Sequence, residues 1–441
     1  MIMKNKNLYY LAIPLFLLAA ACSNKAIKES QGTNSSDSST AKNLDSLPAI
    51  SESKTKFSNI IGWEDNHTPK APSGFIVTRF AEGIKSPRQC YIAPNGDVLV
   101  VLSNSERSAK DKLIGEISGK ADAEVGGKSS NTILLYRDKD GDGVAETKST
   151  FLQNLNQPFG MLIIGNNFYV ANTDGLWMYP YQTGNVRIEQ SGKKILDLPA
   201  GGYNNHWTRN LIANADNSKI YVSVGSGSNV GENGLEKEVR RANILEINPD
   251  GSGEKIYAAG LRNPVGMAWN PSTNELWTAV NERDGLGDNL VPDYITSVKK
   301  DGFYGWPFSY FGQNVDPRRK GEKPELVAKA IVPTYALAPH SASLGLAFYN
   351  GDKFPEKYNG GAFVGQHGSW NRSEFTGYKV VFVPFNNGKP NGKEQDFLTG
   401  FAVEDGSRDV HGRPVGVTVA NDGALLVADD GAGIIWRVAA K

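Results

Sequence analysis

Lys219-Ile220-Tyr221-Val222-Ser223-Val224 is a short apolar strand, and the same pattern returns five more times along the 441 residues. The other copies are Asp97-Val98-Leu99-Val100-Val101, Asn167-Phe168-Tyr169-Val170-Ala171-Asn172, Glu275-Leu276-Trp277-Thr278-Ala279-Val280-Asn281, Gly361-Ala362-Phe363-Val364-Gly365-Gln366 and Ala424-Leu425-Leu426-Val427-Ala428-Asp429. Each follows, across a turn, a second apolar run: from Pro87, Pro158, His206, Arg262, Ser343 and Arg413. Six strand-turn-strand units with further outer strands predict an all-β chain, a six-bladed β-propeller of four-stranded blades. A two-sheet sandwich gives no reason for such regular pairs.

Composition agrees. Forty-eight glycines, 22 prolines and turn pairs such as Asn95-Gly96 and Asp422-Gly423 suit many short strands joined tightly. The 47 basic and 47 acidic residues cancel, and no basic stripe interleaved with aromatics occurs, which argues against nucleic acid as a partner.

Ahead of the repeats stands a targeting segment. Lys4 and Lys6 precede an apolar run from Leu8 to Leu18, too short to span a bilayer comfortably. Ala19-Ala20-Ala21-Cys22 then resembles a bacterial lipoprotein cleavage site. Residues 1–21 are expected to be removed, Cys22 acylated, 22–56 to form a disordered tether, and 57–441 to fold as the propeller. The expected location is the bacterial cell envelope, with the membrane reached through the lipid. Cys90 has no disulfide partner once Cys22 carries lipid.

Blade geometry picks out a face. The start of each innermost strand and the end of its neighbour lie together around a central funnel. Those positions hold Arg88, Phe159, His206, Arg209, Arg262, Asn263, His340, His411 and Arg413, with Ser103, Asn104, Asn172, Ser226, Asn281, Glu282, Gln366, His367, Asp429 and Asp430. Converging cations with nothing to bind are unfavourable, and the planar fork of arginine suits carboxylates, so an anionic ligand is expected there.

Gly260-Leu261-Arg262-Asn263-Pro264-Val265-Gly266, Asn281-Glu282-Arg283-Asp284-Gly285-Leu286-Gly287-Asp288, Tyr304-Gly305-Trp306-Pro307 and Gln366-His367-Gly368-Ser369-Trp370-Asn371-Arg372 resemble the sorbosone and pyranose dehydrogenases. These belong to the pyrroloquinoline-quinone-dependent soluble glucose dehydrogenase group. The resemblance runs from about residue 72 to 438. It implies a quinoprotein oxidising a sugar, polyol or sugar aldehyde, with electrons leaving to an external acceptor such as a cytochrome or a membrane quinone. It implies His206 as catalytic base, and Arg262, Asn263 and Arg413 as cofactor ligands, with His367 or Arg372 at a further cofactor position; Arg209 is grouped with them from its funnel position. It places Ca²⁺ on the backbone carbonyls of Arg283 and Asp284. One departure stands out: where the glucose enzymes carry an aspartate behind the histidine, this chain has Ser226. The alternative is a surface-anchored propeller that binds a glycan or another anion without chemistry, or hydrolyses lactones through a carboxylate-held metal.

Two further signals stand apart. Asp138, Asp140, Asp142 and Glu146 fit the first part of a calcium loop, with Ser149 where the bidentate carboxylate belongs. An aromatic-rich insertion over 286–319 offers rings that pack or that line a sugar-binding mouth, and the 103–131 insertion a lip over the funnel.

Overall fold

The strands that the repeats predict form six sheets. The computed structural model describes residues 43–106, 127–404 and 406–441, all within one unit, Ser39–Lys441. The signal, Cys22, the start of the tether and most of the 103–131 insertion lie outside the described residues.

Blade 1 runs Pro87–Ile92, Val98–Leu102, Thr132–Arg137, Thr147–Leu152; blade 2 Met161–Ile164, Asn167–Asn172, Gly175–Pro180, Lys193–Asp197. Blade 3 is Arg209–Ala213, Ile220–Val224, Asn243–Ile247, Lys255–Ala259, and blade 4 is Pro264–Trp269, Leu276–Val280, Pro292–Ser297, Tyr335–Pro339. Blade 5 comprises Ser343–Phe348, Ala362–Gln366, Lys379–Val383 and Gln395–Leu398. Blade 6 comprises Pro414–Val419, Leu425–Asp429, Ile434–Ala440 and, as its outer strand, Phe75–Ala81. That last pairing sets Phe75 against Ala440 and Ile76 against Ala439, closing the ring with backbone hydrogen bonds. Each blade keeps an inner edge strand at the axis, short and protected by its neighbours.

The core lies between blades. Alternate residues of the second and third strands point into the gaps, where Phe363, Phe382, Phe397 and Trp436 form one apolar cluster and Leu99, Ile133, Phe151 and Phe168 another. The ring pairs there, Phe363 with Phe397 at 4.5 Å and Phe151 with Phe168 at 5.2 Å, each add about 0.5–1.5 kcal/mol beyond area burial.

Toward the axis six strands crowd together, and glycine makes this possible. A Cβ on Gly345 would sit 2.3 Å from the Val415 carbonyl oxygen, and one on Gly416 would sit 2.7 Å from that of Arg88. Phe159-Gly160, Val265-Gly266, Leu344-Gly345 and Val415-Gly416 are thus one device that narrows the neck and leaves the wider mouth above it.

The aromatic insertion is packing. Tyr294, Tyr304, Trp306, Phe308, Tyr310 and Phe311 are all buried, and Gly302–Phe303 pairs in parallel with Lys255–Ala259, joining the insertion to blade 3. None of these rings lines the funnel. The part of the expected tether that is described, from Asn43, lies along the propeller. Asn43 exchanges two hydrogen bonds with Ala336, Leu44 and Leu47 pack on the blade-4 core, and Ser51 N–H donates to the Leu286 carbonyl.

Gly345→Ala is expected to destabilise the fold by about 1–3 kcal/mol through overpacking at the neck. Gly201→Ala, in open space, should be neutral. Denaturant titration of both variants checks this.

Candidate active site

Above the neck the blades enclose a cavity of about 580 Å³ lined by Arg88, Phe159, His206, Arg262, Asn263, Asn281, Asp284, His340, His367 and Arg413, among others. Of the funnel positions derived from strand order, Arg88, Phe159, His206, Arg262, Asn263, Asn281, His340, His367 and Arg413 thus converge, drawn from all six blades or the loops that lead into them.

His206 is buried, just before blade 3. Its Nδ1 lies 3.0 Å from the Ser226 carbonyl oxygen and 2.8 Å from Ser226 Oγ. Because Ser226 Oγ donates to the Ser228 carbonyl, it presents a lone pair to the ring. Both partners are acceptors, so Nδ1 carries the hydrogen and Nε2 keeps its lone pair. Burial pushes the His206 pKa well down, and Arg262 and Arg209 push it further. Ser226, the departure from the glucose enzymes, thus orients the histidine without adding a negative charge.

Arg262 is 1% exposed and donates to the Asn281 and Glu282 carbonyls, to Asn229 Oδ1 at 2.9 Å and to Asp284 Oδ2 at 3.3 Å. Asn229 is the residue the sequence did not single out: its Oδ1 also accepts from Asp284 N–H, and its Nδ2 donates to the Asp284 carbonyl. It fixes Arg262 and Asp284 as a unit. Nothing in the local sequence announces this, since the contact spans two blades.

Across the funnel Asp430 gathers three groups. Arg88 Nη1 is 2.5 Å from Oδ2, Arg413 Nε 3.1 Å from Oδ1, and His367 Nε2 2.9 Å from Oδ1. Burial alone would raise the Asp430 pKa, but Arg413, His367 and Arg88 hold it far below the usual carboxylate range. Burial lowers the His367 pKa, against the pull of Asp430. His340 has a left-handed backbone (φ 59°) and lies 3.3 Å from Asp284 Oδ1 through Nδ1 and 2.8 Å from the Gly287 carbonyl through Nε2. Burial opposes its charge, yet Asp284, Gly287 and Asp293 together raise its pKa. Cationic side chains from several blades thus face the funnel.

Several expectations need correction. Arg209 does not line the cavity: its guanidinium holds the His206, Thr208 and Pro199 carbonyls and Asn204, and burial lowers its pKa to about 9. It braces the loop that carries His206. Arg372 turns away to the Asp288 carbonyl, so of the two alternatives it is His367 that faces the funnel. His411 stacks on Trp63 and bonds the Gly62 carbonyl instead of entering the site.

Of the two carbonyls expected to hold calcium, that of Asp284 is taken by protein donors. The Asp284 carbonyl accepts Asn229 Nδ2 at 3.0 Å and Arg318 Nη1 at 2.8 Å. Arg283 is fully buried, its guanidinium bound to Glu282 and Asp316 and facing the Tyr310 ring. A carbonyl already holding a guanidinium does not fit a calcium ion. A quinone bearing carboxylates does fit the funnel, because Arg88, Arg262 and Arg413 line it. Away from the funnel, Asp138, Asp140, Asp142 and Glu146 converge between the outer strands of blade 1, with ligand atoms within 4.8 Å of one another. Four of the loop's N–H groups, among them Gly141 and Gly143, donate to the aspartates.

A six-bladed propeller with a cationic funnel and one neutral, oriented histidine defines the class. Residues 182–437 match the family described as Glucose / Sorbosone dehydrogenase, and the chain belongs to that family. An uncharacterized protein of Borreliella burgdorferi is 33% identical over 303 residues, which is 66% of this chain and 77% of that one. The aldose sugar dehydrogenase of Escherichia coli is 39% identical over 114 residues, 25% of this chain and 28% of that enzyme. The holo pyranose dehydrogenase PQQ domain of Coprinopsis cinerea superposes with a TM-score of 0.67 at 19% identity, over 87% of this chain and 100% of that domain.

Long-range ¹⁵N–¹H NMR of the cofactor-free protein is expected to show His206 as the neutral Nδ1–H tautomer well below pH 6.5, the ordinary histidine value. A lowered pKa means that the folded state resists the proton, so the neutral form should persist as pH falls. His340, shifted the other way, should keep its proton above that value.

Proposed function

We propose that this chain is a quinoprotein dehydrogenase that oxidises a sugar or sugar aldehyde, with pyrroloquinoline quinone bound in the funnel. The observation that carries the reading is the facing pair of sites: guanidiniums of Arg88, Arg262 and Arg413 around the cavity, and an uncharged His206 whose Nε2 is free to take a proton.

Arg413 would hold a carboxylate of the cofactor, with Asn263 and His367 at its polar edge. Arg262, whose N–H groups all meet protein acceptors, would place its charge beside the cofactor without gripping it. The quinone supplies the two-electron acceptor for hydride leaving the substrate carbon. His206 removes the hydroxyl proton from that carbon's oxygen through Nε2, and Ser226 accepts from Nδ1–H as the ring becomes charged. Nearby guanidiniums raise the energy of that imidazolium, which keeps the base unprotonated between turnovers. The electrons pass on to an external acceptor.

The lactonase-like alternative finds little support. A funnel metal held by side chains needs several carboxylates, and among the described residues the lining offers Glu106 and Asp284. Residues 1–22 support export to the cell envelope and acylation of Cys22, with 23–42 as a polar spacer.

Adding pyrroloquinoline quinone with Ca²⁺ to the purified, metal-stripped protein should give a bound quinone spectrum and dye reduction with aldoses. His206→Ala should lower kcat by about 10²–10⁴-fold with cofactor still bound. Arg413→Ala should weaken cofactor binding instead. A parent protein that takes up no quinone at micromolar concentration overturns the proposal. Separately, labelled palmitate should enter the native chain in cells and not Cys22→Ala.

A further inference from the structure

The funnel is not walled by the propeller alone. Residues 51–63 form a strap across blades 4, 5 and 6, fastened along its length. Gly287 N–H donates to Ser53 Oγ, Asn371 Nδ2 donates to the Lys54 carbonyl, and Lys56 N–H donates to the Trp370 carbonyl. Arg408 Nε then donates to the Phe57 carbonyl, Asn59–Ile60 pairs in parallel with Asp409–Val410, and Trp63 Nε1 donates to the buried carboxylate of Asp429. Phe57 therefore has a bonded backbone on both sides. Its ring lies parallel to that of Trp370, within 4° and with centroids 5.8 Å apart. Phe57, Ser58 and Trp370 all line the cavity, and Trp370 keeps 39% of its surface exposed.

The cavity lining mixes arginines and histidines with aromatic rings. Phe159, Trp207 and Tyr378 are buried among it, whereas Trp370 and Tyr203 stay exposed and Phe57 is part-buried. A closed sugar ring has one face of C–H groups and a rim of hydroxyls, and the C–H face stacks on an aromatic plane. Open-chain aldehydes and polyols present no such face. Fixing the plane beforehand removes the ordering penalty from binding.

We propose that the strap, through Phe57 and Trp370, is a specificity element that selects closed-ring (pyranose) sugars over open-chain substrates. This rests on the dehydrogenase reading for its kinetic test but not for its binding test. The segment precedes the propeller in sequence, so substrate choice is written partly outside the repeats. Phe57 and Trp370 are positioning residues and take no part in proton or hydride transfer.

The kinetic test uses the full chain loaded with pyrroloquinoline quinone, comparing Phe57→Leu and Trp370→Ala with the parent on glucose and on glyceraldehyde. Loss of one stacked ring is expected to raise KM for glucose about tenfold, with kcat and quinone affinity nearly unchanged and glyceraldehyde unaffected. Equal effects on both substrates, or none on glucose, overturn the proposal. Phe57→Leu keeps apolar bulk, and its melting temperature shows whether the strap stays docked. The binding test uses cofactor-free protein: saturation transfer to glucose C–H protons should be strong with the parent and weak with Trp370→Ala. Undiminished transfer in that variant overturns the proposal. A parent that binds glucose but no quinone would instead fail the dehydrogenase reading and leave the strap's role standing.

Discussion

The carboxylate of Asp430 binds Arg88 from blade 1, His367 from the end of a blade-5 strand and Arg413 at the entrance to blade 6. These groups arrive from three sheets that touch one another only through side chains and turns. Buried cations need a counter-charge, and Asp430 supplies it to two guanidiniums at once. The same arrangement therefore fixes three blades in register around the axis and sets both guanidiniums at the funnel. Removing that one carboxylate would unbalance both functions together.

The opposite wall solves a different problem. His206 must stay neutral among cations and be held in one tautomer. An aspartate would hold the ring but would also favour its proton, whereas the Ser226 hydroxyl and carbonyl hold it with dipoles alone. Arg209 and Arg262 flank the same loop, and their guanidiniums lower the histidine further. The base is thus set by the neighbours' charge and by a donor count that admits just one tautomer.

Much of this was legible in the chain. A period of apolar strands with polar ends gives blade number and the identity of the funnel face, because strand order in a blade is fixed by hydrogen bonding. Arg88, His206, Arg262, His340, His367 and Arg413 follow from that alone. What strand order does not carry is side-chain direction: Arg209 and His411 sit at the right height and turn elsewhere, each taken by backbone carbonyls nearby, as is Arg372, which the resemblance suggested. Nor does it show contacts between distant segments. Asn229 and the strap from Asn43 read as polar linker, since their partners are supplied by other blades. The aromatic run over 286–319 is ambiguous for a simple reason: rings that fill a core and rings that face a sugar have the same composition.

Ring closure has a consequence in time. Phe75 pairs with Ala440, and the strap ahead of it pairs with Asp409 and Val410, so the two ends of the domain meet at blade 6. Contacts between residues so far apart in sequence form slowly, because a long loop must close before they gain anything. Blades 1 to 5 can assemble as the chain emerges, yet Arg413 and Asp430 come last, in the blade that needs both ends. A chain cut short before the final strand would therefore hold most of its sheets and no finished funnel, so that binding competence marks complete synthesis.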